Sequence, residues 1–392
     1  PRPVVHWTED GQDRQARWRS ERGAPPPKNV VVIDDQTRAD DAYGLACQGV
    51  GLLWRGDFQN ARQLLTALAS RVDHKSRRSG KRGPKGDAGS TAAQPPVKLS
   101  DAFNLERQAR SQRARTLGFL LVPLDADYGI PLRRAPDLRQ ACLEAYGPVD
   151  EPSVVSLREL QGVVGAHEWH VKGIPVPAAG GRIHPCHGVF SPTRSEYIDL
   201  VARAPLPAAA QAPAAVAFDI GTGTGVLAAV LARRGVPAVV ATDQAPRALA
   251  CAQDNMQRLG LSDRVRVVQA DLFPEGRAAL VVCNPPWVPA RPASPLEQGV
   301  YDPDSRMLLG YLNGLAAHLE PGGEGWLILS DLAEHLGLRT RETLMAAIDA
   351  AGLQVLDRAD ARPVHGRATD PTDPLHAARA AERTSLWRLA VR

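Results

Sequence analysis

From about residue 196 to the end of the chain, short apolar runs alternate with longer stretches of helical periodicity. Strands that alternate with helices of this length form a mainly parallel sheet with helices on both faces, and ligands bind beyond the carboxyl ends of its strands. The pattern therefore predicts an α/β fold with a Rossmann-like, seven-stranded core at 196–392. The expected strands are 215–220, 238–242, 264–269, 279–283, 325–330, 353–356 and 385–391.

A glycine-rich turn, Asp219-Ile220-Gly221-Thr222-Gly223-Thr224-Gly225, follows the first of these strands. Glycines allow a tight strand-to-helix turn close to a ligand, and the N-terminus of the next helix favours an anion such as a carboxylate. A dinucleotide-binding fingerprint needs glycine where this chain has Val226, so hydride transfer is disfavoured. Taken alone, the turn is also compatible with a purely structural role.

Single acidic residues follow the next two expected strands. Asp243 is placed where a carboxylate can accept both hydroxyls of a ribose. Asp271 can accept an exocyclic amine, while Leu272 and Phe273 pack against an adenine ring. The alternative is that Asp243 caps a helix and Asp271 is a solvated loop residue. Because both lie at the edge that holds the glycine-rich turn, they favour a cofactor with a carboxylate, a ribose and an adenine.

The stretch Asn284-Pro285-Pro286-Trp287 follows the fourth expected strand. An amide or aniline-like nitrogen is a poor nucleophile, because its lone pair is delocalised. Acceptors aimed at its N–H groups raise its electron density and fix its direction of attack. The Asn284 side-chain oxygen and the Pro285 carbonyl can serve, since consecutive prolines fix the loop, and Trp287 offers a flat face for stacking. Alone, the stretch could be a turn with a packed tryptophan. Because it follows a glycine-rich turn that is expected to hold a cofactor, it predicts methyl transfer to a planar nitrogen.

These residues resemble the class I S-adenosylmethionine-dependent methyltransferases over about residues 186–392. The resemblance implies S-adenosylmethionine as the cofactor. It also implies that Asp219, Gly221, Gly223 and Gly225 hold the methionine portion. Asp243 would hold the ribose, and Asp271 with Leu272 the adenine.

Within this class, Asn284–Trp287 is similar to the motif of enzymes that methylate amino nitrogens of adenine, guanine or glutamine. The segment 190–197, which contains Phe190 and Arg194, resembles a Pro-containing acidic segment of the HemK-like glutamine methyltransferases. The chain departs from that family in having tryptophan where tyrosine is usual, and in an insertion at 361–383. Phe190, Arg194 and, in the insertion, Arg367 are the candidate substrate-binding residues, and His365 and Arg379 of the insertion are further candidate contacts.

The first 160 residues are expected to form a smaller α/β domain that recruits the substrate, followed by a hairpin connector at 161–195. Residues 1–28 look like a loosely attached arm, and Leu52 and Leu53 suggest helical packing. The stretch 73–100 has almost no apolar residues and predicts a flexible basic loop. Residues 51–100 hold 10 basic and 3 acidic residues, a surplus that favours contact with RNA, together with Arg107, Arg110 and Arg113 further on.

Composition restricts the class of protein without identifying it. Of the 392 residues, 44% are hydrophobic and 23% charged, as is usual for a globular protein. No apolar run approaches the roughly 18 residues of a membrane span, and no signal-peptide pattern opens the chain. The five cysteines are scattered, which favours a reducing cytoplasm. Histidines cluster at 167–170 and 184–187, but their spacing matches no zinc template, so no metal is expected.

Three functions remain open from the sequence. The first is N-methylation of an exocyclic base amine in RNA or DNA, favoured by the basic surplus and by Trp287. The second is N5-methylation of glutamine in a translation factor or ribosomal protein, favoured by the family resemblance. The third is a non-catalytic RNA-binding protein on a methyltransferase scaffold. The sequence does not specify an oligomeric state.

Overall fold

The computed structural model describes residues 3–81, 98–149, 151–292, 295–364, 370–371 and 373–392, with the backbone alone at 75–81 and 295–296. The chain forms two compact units. The N-terminal unit contains the residues up to 167 other than 98–103, and the C-terminal unit contains 98–103 together with 168–392.

The N-terminal unit is built around a mixed sheet. In chain order its elements are β1 (Val4–Glu9), β2 (Gln12–Arg19), β3 (Asn29–Ile33), α1 (Ala39–Cys47), β4 (Val50–Trp54), α2 (Phe58–Lys81), α3 (Leu99–Leu117), β5 (Leu120–Leu124), α4 (Arg139–Tyr146), β6 (Ser153–Ser156) and α5 (Leu157–Lys172). The six strands have the order β1-β2-β6-β5-β4-β3. The β3–β4, β4–β5 and β2–β6 pairs are parallel, and the other two are antiparallel. This confirms the predicted N-terminal α/β fold.

The C-terminal unit is built around a seven-stranded sheet. After α5, its elements are β7 (Ile174–Val176), β8 (Gly181–Ile183), α6 (Glu196–Arg203), β9 (Val216–Ile220), α7 (Val226–Arg233), β10 (Ala238–Asp243), α8 (Pro246–Arg258), β11 (Val265–Gln269), β12 (Ala278–Cys283), α9 (Arg306–His318), β13 (Leu319–Ser330), α10 (Leu332–His335), α11 (Arg341–Ala350), β14 (Leu353–Ala361), α12 (His376–Ala381) and β15 (Thr384–Val391). Short 3₁₀ turns lie at Pro177–Ala179, Ala208–Gln211, Pro295–Gly299 and Pro303–Ser305.

The seven strands have the order β11-β10-β9-β12-β13-β15-β14, while β7 and β8 form a separate hairpin. The first five strands are parallel, and β15 is antiparallel to both of its neighbours. All seven predicted strands are present, and the predicted Rossmann-like core is confirmed. β13 begins six residues before its predicted start and β14 ends five residues after its predicted end, while the other ends agree within one residue.

Apolar clusters cover both faces of this sheet. One contains α6 and α7 side chains such as Val201 and Leu231, and the other contains α9 and α11 side chains such as Leu312 and Ile348. At the centre of the sheet, β12 is buried at every position, because a central parallel strand is covered on both faces. The buried Tyr311 hydroxyl donates to the Val281 carbonyl at 2.8 Å and fixes α9 against β12. The sheet edge that follows β12 is therefore held on a rigid core.

The expectation of a loose arm at 1–28 was wrong for residues 4–19, which form the β1–β2 hairpin. Its turn is Asp10-Gly11, with φ of 53° and 73°. Two positive φ values match the twist of a two-residue hairpin, and Asp-Gly is a strong signal for such a turn. Val5 and Trp18 are buried, so the hairpin is part of the N-terminal core.

Three other expectations also differ from the structure. Leu52 and Leu53 lie in β4 rather than in a helix, because a short apolar run fits a buried strand equally well. The α2 helix continues to Lys81, so residues 73–81 are not a loop, and the rest of the basic stretch, 82–97, lies outside the described residues. In the expected connector at 161–195, residues up to 172 belong to α5, and only β7 and β8 form the hairpin.

Across the residues that the structure describes, none of the helices combines the length and the apolar character needed to cross a bilayer.

Candidate active site

The strand register brings the glycine-rich turn, both aspartates and Asn284 to one edge of the seven-stranded sheet. Ile220, the last residue of β9, pairs with Cys283 of β12 on one side and with Thr242 of β10 on the other. Gln269 of β11 pairs with Asp243. Neighbouring strands lie about 4.8 Å apart, so Asn284 and Asp243 both lie beside the start of the turn. The structure therefore places the Asn284–Trp287 stretch, the proposed reactive motif, next to the glycine-rich turn.

The buried carboxylate of Asp219 holds the glycine-rich turn in place. Asp219 is 1% exposed, and its Oδ2 accepts hydrogen bonds from the Thr222 hydroxyl at 2.6 Å and the Ala228 amide at 3.0 Å. Burial raises the pKa of Asp219 to about 6, with a smaller contribution from the charge of Asp243, while the two hydrogen bonds oppose the rise. Asp219 thus joins the end of β9 to the first turn of α7.

The raised pKa of Asp219 predicts a pH-dependent stability. The folded protein holds this proton more tightly than the unfolded chain, so the contribution is fully present below pH 3.8 and is lost as the pH rises to about 6. The difference corresponds to about 3 kcal/mol in the free energy of unfolding. We expect Asp219→Asn to remove this decline, as measured by urea unfolding of both proteins between about pH 4 and pH 7. Parallel curves for the two proteins would contradict the expectation.

Gly221 leaves room for the side chain of Met307, at the start of α9, to pack against the glycine-rich turn. Its φ is 70°, a left-handed conformation that glycine adopts without strain. A Cβ added at Gly221 would lie 2.3 Å from Cε of Met307, the second residue of α9. Gly223, with φ of 55°, has no heavy atom within 4 Å of such a Cβ, so the middle of the turn is open.

The crowding at Gly221 predicts a coupling between two residues. We expect Gly221→Ala to destabilise the fold more than Gly235→Ala, a control position with φ of 97° and nothing within 4 Å of its Cβ. Both lose about 1–2 kcal/mol through the left-handed backbone. Gly221→Ala loses a smaller further amount, because the atom it crowds is the terminal methyl of the flexible, half-buried Met307 side chain, which can move aside only in part. Met307→Ala should recover that second part in a double-mutant cycle followed by urea unfolding. Equal losses at both glycines would show that Met307 does not press on the turn.

Both aspartates at this edge are held in place by neighbours. Asp243 accepts the Gly223 amide at 3.1 Å through Oδ2 and the Ala245 amide at 2.9 Å through Oδ1. Asp271 accepts from the Gln244 side chain and forms an ion pair at 2.8 Å with Arg306, the first residue of α9. The N-cap of α8 is Ala245, which has no side-chain cap hydrogen bond, so Asp243 fixes the turn before that helix rather than capping it, and its carboxylate is a fixed acceptor beside the glycine-rich turn.

Leu272 and Phe273 are directed towards α9. Leu272 has a φ of 72°, and its Cδ1 lies 2.5 Å from the Cβ that would be added at Gly310. The Phe273 ring stacks on His318, with centroids 4.2 Å apart, and lies parallel to Tyr311 at 6.0 Å. The Phe273 ring is thus occupied by protein neighbours, and Leu272 is the better placed of the two for an adenine contact.

The reactive motif has an internal hydrogen bond. The Trp287 indole N–H donates to Oδ1 of Asn284 at 2.8 Å, and both side chains are half-buried. The Trp287 ring packs against apolar clusters on both faces of the sheet. A carbonyl oxygen has two lone pairs, so Asn284 can still accept a second hydrogen bond. The indole therefore fixes the direction of the oxygen that the sequence assigned to the substrate.

One of the predicted substrate-binding residues, Arg194, lies beside this motif. The Arg194 guanidinium lies over the Trp287 ring, 4.7 Å from its centroid, and pairs with two buried carboxylates, Glu196 at 2.6 Å and Glu382 at 3.1 Å. Phe190 lies against Gly299, where an added Cβ would be 2.7 Å from its own Cβ. Arg367, the third, lies outside the described residues, as does His365.

Further polar groups fix the loop between β12 and α9. The buried Asp302 donates its amide to the Val288 carbonyl at 2.9 Å, and its carboxylate accepts the Met307 and Leu308 amides. In the insertion, Arg379 is buried and pairs with Asp373 at 2.8 Å, so it does not fit the role of a free substrate contact.

The remaining histidine and arginine clusters have contacts of their own. His167 pairs with Glu144, and Nδ1 of His170 lies 3.8 Å from Sγ of Cys186. Among the described residues, no three potential metal ligands come together. In the N-terminal unit, Arg110 pairs with Glu106, and Arg113 pairs with Asp73 at 2.8 Å. The charges of these two arginines are therefore compensated within the protein.

Residues 180–340 match the family model described as Methyltransferase small domain. The match spans the glycine-rich turn, both aspartates and the reactive motif. The C-terminal unit contains a class I S-adenosylmethionine-dependent methyltransferase domain. The match confirms the family resemblance and the cofactor predicted from the sequence.

Curated relatives match parts of this chain. Release factor glutamine methyltransferase of Cereibacter sphaeroides is 33% identical over 163 residues, which is 38% of this chain and 56% of that protein. Ribosomal protein L11 methyltransferase of Pelotomaculum thermopropionicum is 36% identical over 149 residues, or 37% and 40% of the two chains. The chain spans about half the length of these relatives. A structure of ribosomal protein L11 methylase from Lactobacillus delbrueckii subsp. bulgaricus shares 18% identity at a TM-score of 0.31, over 45% of this chain and 70% of that one.

Several residues that hold the site at the carboxyl ends of the strands were not predicted from the sequence. Arg306 and Met307 contact Asp271 and the glycine turn only because α9 begins beside them. Asp302 had a local signal, since an aspartate shortly before an apolar helix commonly caps it. Glu382 had none, because its partner Arg194 is 188 residues away in the chain.

Proposed function

We propose that this protein transfers the methyl group of S-adenosylmethionine to the side-chain amide nitrogen of a glutamine in another protein, most simply a protein of the translation machinery. The observation that carries the proposal is the pairing of Cys283 with Ile220, which places the Asn284 amide beside the cofactor turn. The relatives support the choice of acceptor, because two of those with the strongest matches are named release factor glutamine methyltransferases.

The residues at the sheet edge fit the proposed cofactor. The open space at Gly223 and the N-terminus of α7 suit the carboxylate of the methionine portion. Asp243 would accept the ribose hydroxyls, and Asp271 the adenine amine, with Leu272 against the ring. Asp219 and Gly221 would shape the turn. When bound, S-adenosylmethionine supplies an electrophilic methyl group.

The protein's part in the reaction is to orient the acceptor nitrogen. Oδ1 of Asn284 and the Pro285 carbonyl would accept the two N–H groups of a glutamine amide, which directs its lone pair towards the methyl group. The two prolines restrict the backbone, and Trp287 holds the Asn284 oxygen, so little reorganisation is needed at the moment of reaction. Alignment of two reacting groups can itself contribute about 7–11 kcal/mol.

An exocyclic base amine, the acceptor favoured by the sequence, fits the same chemistry but has less support. The Arg110 and Arg113 side chains that suggested RNA contact are paired with acidic residues. The basic stretch at 82–97 lies outside the described residues, and the relatives' names favour a protein acceptor. A non-catalytic protein would need loss of cofactor contacts, whereas the turn and both aspartates are in place.

The test is labelled methyl transfer into a fractionated lysate, with Asn284→Ala as the inactive control. We expect label that survives RNase, is lost to protease, and appears as N5-methylglutamine after hydrolysis and mass spectrometry. Label removed by RNase would establish the base acceptor instead. Absence of both label and any heat of S-adenosylmethionine binding in titration calorimetry would leave only the non-catalytic function.

A further inference from the structure

We propose that Arg194, held by Glu196 and Glu382, is a positioning residue for the methyl acceptor site: it fixes Trp287 and, through it, the Asn284 oxygen. This inference rests on the proposed function, and it changes the expected part of Arg194 from binding the substrate to supporting the group that binds it.

The first link fixes Arg194 to the protein. Its Nε donates to Glu196 at 2.6 Å and its Nη2 donates to Glu382 at 3.1 Å. Glu382 is 1% exposed and also accepts the Ser330 hydroxyl at 2.7 Å. Ser330 is the last residue of β13, and its Oγ accepts the Leu332 amide at 3.0 Å. The guanidinium is thus anchored at two of its nitrogens, to α6 through Glu196 and to the end of β13 through Glu382 and Ser330.

The second link runs from Arg194 to the reactive motif. The guanidinium carbon lies 4.7 Å from the centroid of the Trp287 ring, within the range of a cation–π contact. The indole N–H then donates to Oδ1 of Asn284 at 2.8 Å. A ring covered by an anchored cation has fewer orientations, so the hydrogen bond to Asn284 keeps one direction.

The carboxylates explain why arginine suits this position. A guanidinium offers a planar fork that can pair with two acids and stack on an aromatic ring at the same time, whereas a lysine ammonium is a single point charge. The Arg194 side chain is only 19% exposed, so little of it is free to contact a substrate. Because Arg194 is already paired and stacked, it supports Trp287 rather than binding a substrate.

The structure offers a matched control. Arg341 of α11 pairs with Glu334 at 2.9 Å and lies over the Trp387 ring, 5.1 Å from its centroid. It has the same chemistry as Arg194, a carboxylate and a tryptophan face, but belongs to a contact with no part in the acceptor site.

The experiment compares Arg194→Met, Arg194→Lys and Arg341→Met in the full chain. Hydrogen exchange of the Trp287 indole N–H, followed by NMR and assigned through Trp287→Phe, requires no methyl acceptor. We expect at least tenfold faster exchange in Arg194→Met, an intermediate value in Arg194→Lys and no change in Arg341→Met. Methylation kinetics should show kcat lowered about 10- to 100-fold with KM nearly unchanged, since small misplacements of a positioned group have effects of this size.

Two results would overturn the inference: unchanged indole exchange in Arg194→Met, or a rise in KM with kcat preserved, which would make Arg194 a substrate-binding residue. If Arg194→Met does not fold because two buried carboxylates lose their partner, Arg194→Lys decides, and wild-type exchange in that variant counts against the proposal. The exchange measurement also separates the two ideas. If glutamine proved not to be the methyl acceptor, the faster indole exchange expected in Arg194→Met would still hold. Unchanged exchange would exclude the positioning role of Arg194 and leave the proposed glutamine methylation untouched.

Discussion

Replacing Asn284 by alanine should lower kcat for methyl transfer about 10²–10³-fold while leaving S-adenosylmethionine bound. The side-chain oxygen is the acceptor that directs the nitrogen lone pair, and alanine has no group to replace it. Removal of one preorganised polar group in comparable sites lowers kcat by about 10²–10³-fold. The cofactor contacts proposed for the glycine turn, Asp243 and Asp271 do not involve the Asn284 side chain, so the Kd for S-adenosylmethionine should stay within about twofold of wild type.

Two further variants make this prediction specific. Asn313→Ala removes an exposed asparagine from α9 and should leave kcat unchanged. Trp287→Phe keeps an aromatic ring under Arg194 but removes the N–H that holds Oδ1 of Asn284 at 2.8 Å. In Trp287→Phe the Asn284 oxygen remains and only its fixed orientation is lost. The kcat of this variant should therefore fall between those of wild type and Asn284→Ala. A loss of less than tenfold in Asn284→Ala, measured by single-turnover transfer, would show that Asn284 does not orient the acceptor.

Asp243→Ala should remove cofactor binding, with the Kd for S-adenosylmethionine raised at least about 100-fold. A hydrogen bond to a charged group contributes about 1.5–3 kcal/mol, and a ribose would offer this carboxylate two hydroxyls. The carboxylate also accepts the Gly223 and Ala245 amides, so alanine would in addition loosen the turn that faces the cofactor. Both effects act in the same direction.

Asp243→Asn and Asp254→Ala serve as controls for this second prediction. Asparagine keeps one acceptor oxygen without the charge and should weaken binding less than alanine does. Asp254 pairs with Arg258 on α8 and takes no part in the proposed site, so its replacement should not alter the Kd. Titration calorimetry measures all three variants, and thermal melting shows whether each is folded. Wild-type affinity in a folded Asp243→Ala would exclude this residue from the cofactor site.

Local patterns were sufficient for the seven-stranded core, where each signal lies within one strand or one turn. The strands of the seven-stranded core follow from short apolar runs, and the run at 279–283 is clear because β12 is buried on both faces. Patterns failed where two structures share one signal. The apolar Leu52-Leu53 pair fits a strand and a helix alike, and the Asp10-Gly11 turn was concealed in a polar stretch.

The sequence by itself determined the type of core and the cofactor, and it predicted the reactive motif, because each is specified by residues adjacent in the chain and because the carboxyl ends of parallel strands lie at one edge. Tertiary structure alone decided what holds that edge. The contacts of Arg194 with Glu382, Met307 with Gly221 and Arg306 with Asp271 join segments far apart in sequence. Such contacts depend on how helices and loops pack over the sheet, and the periodicity of a single strand or helix carries no information about that packing.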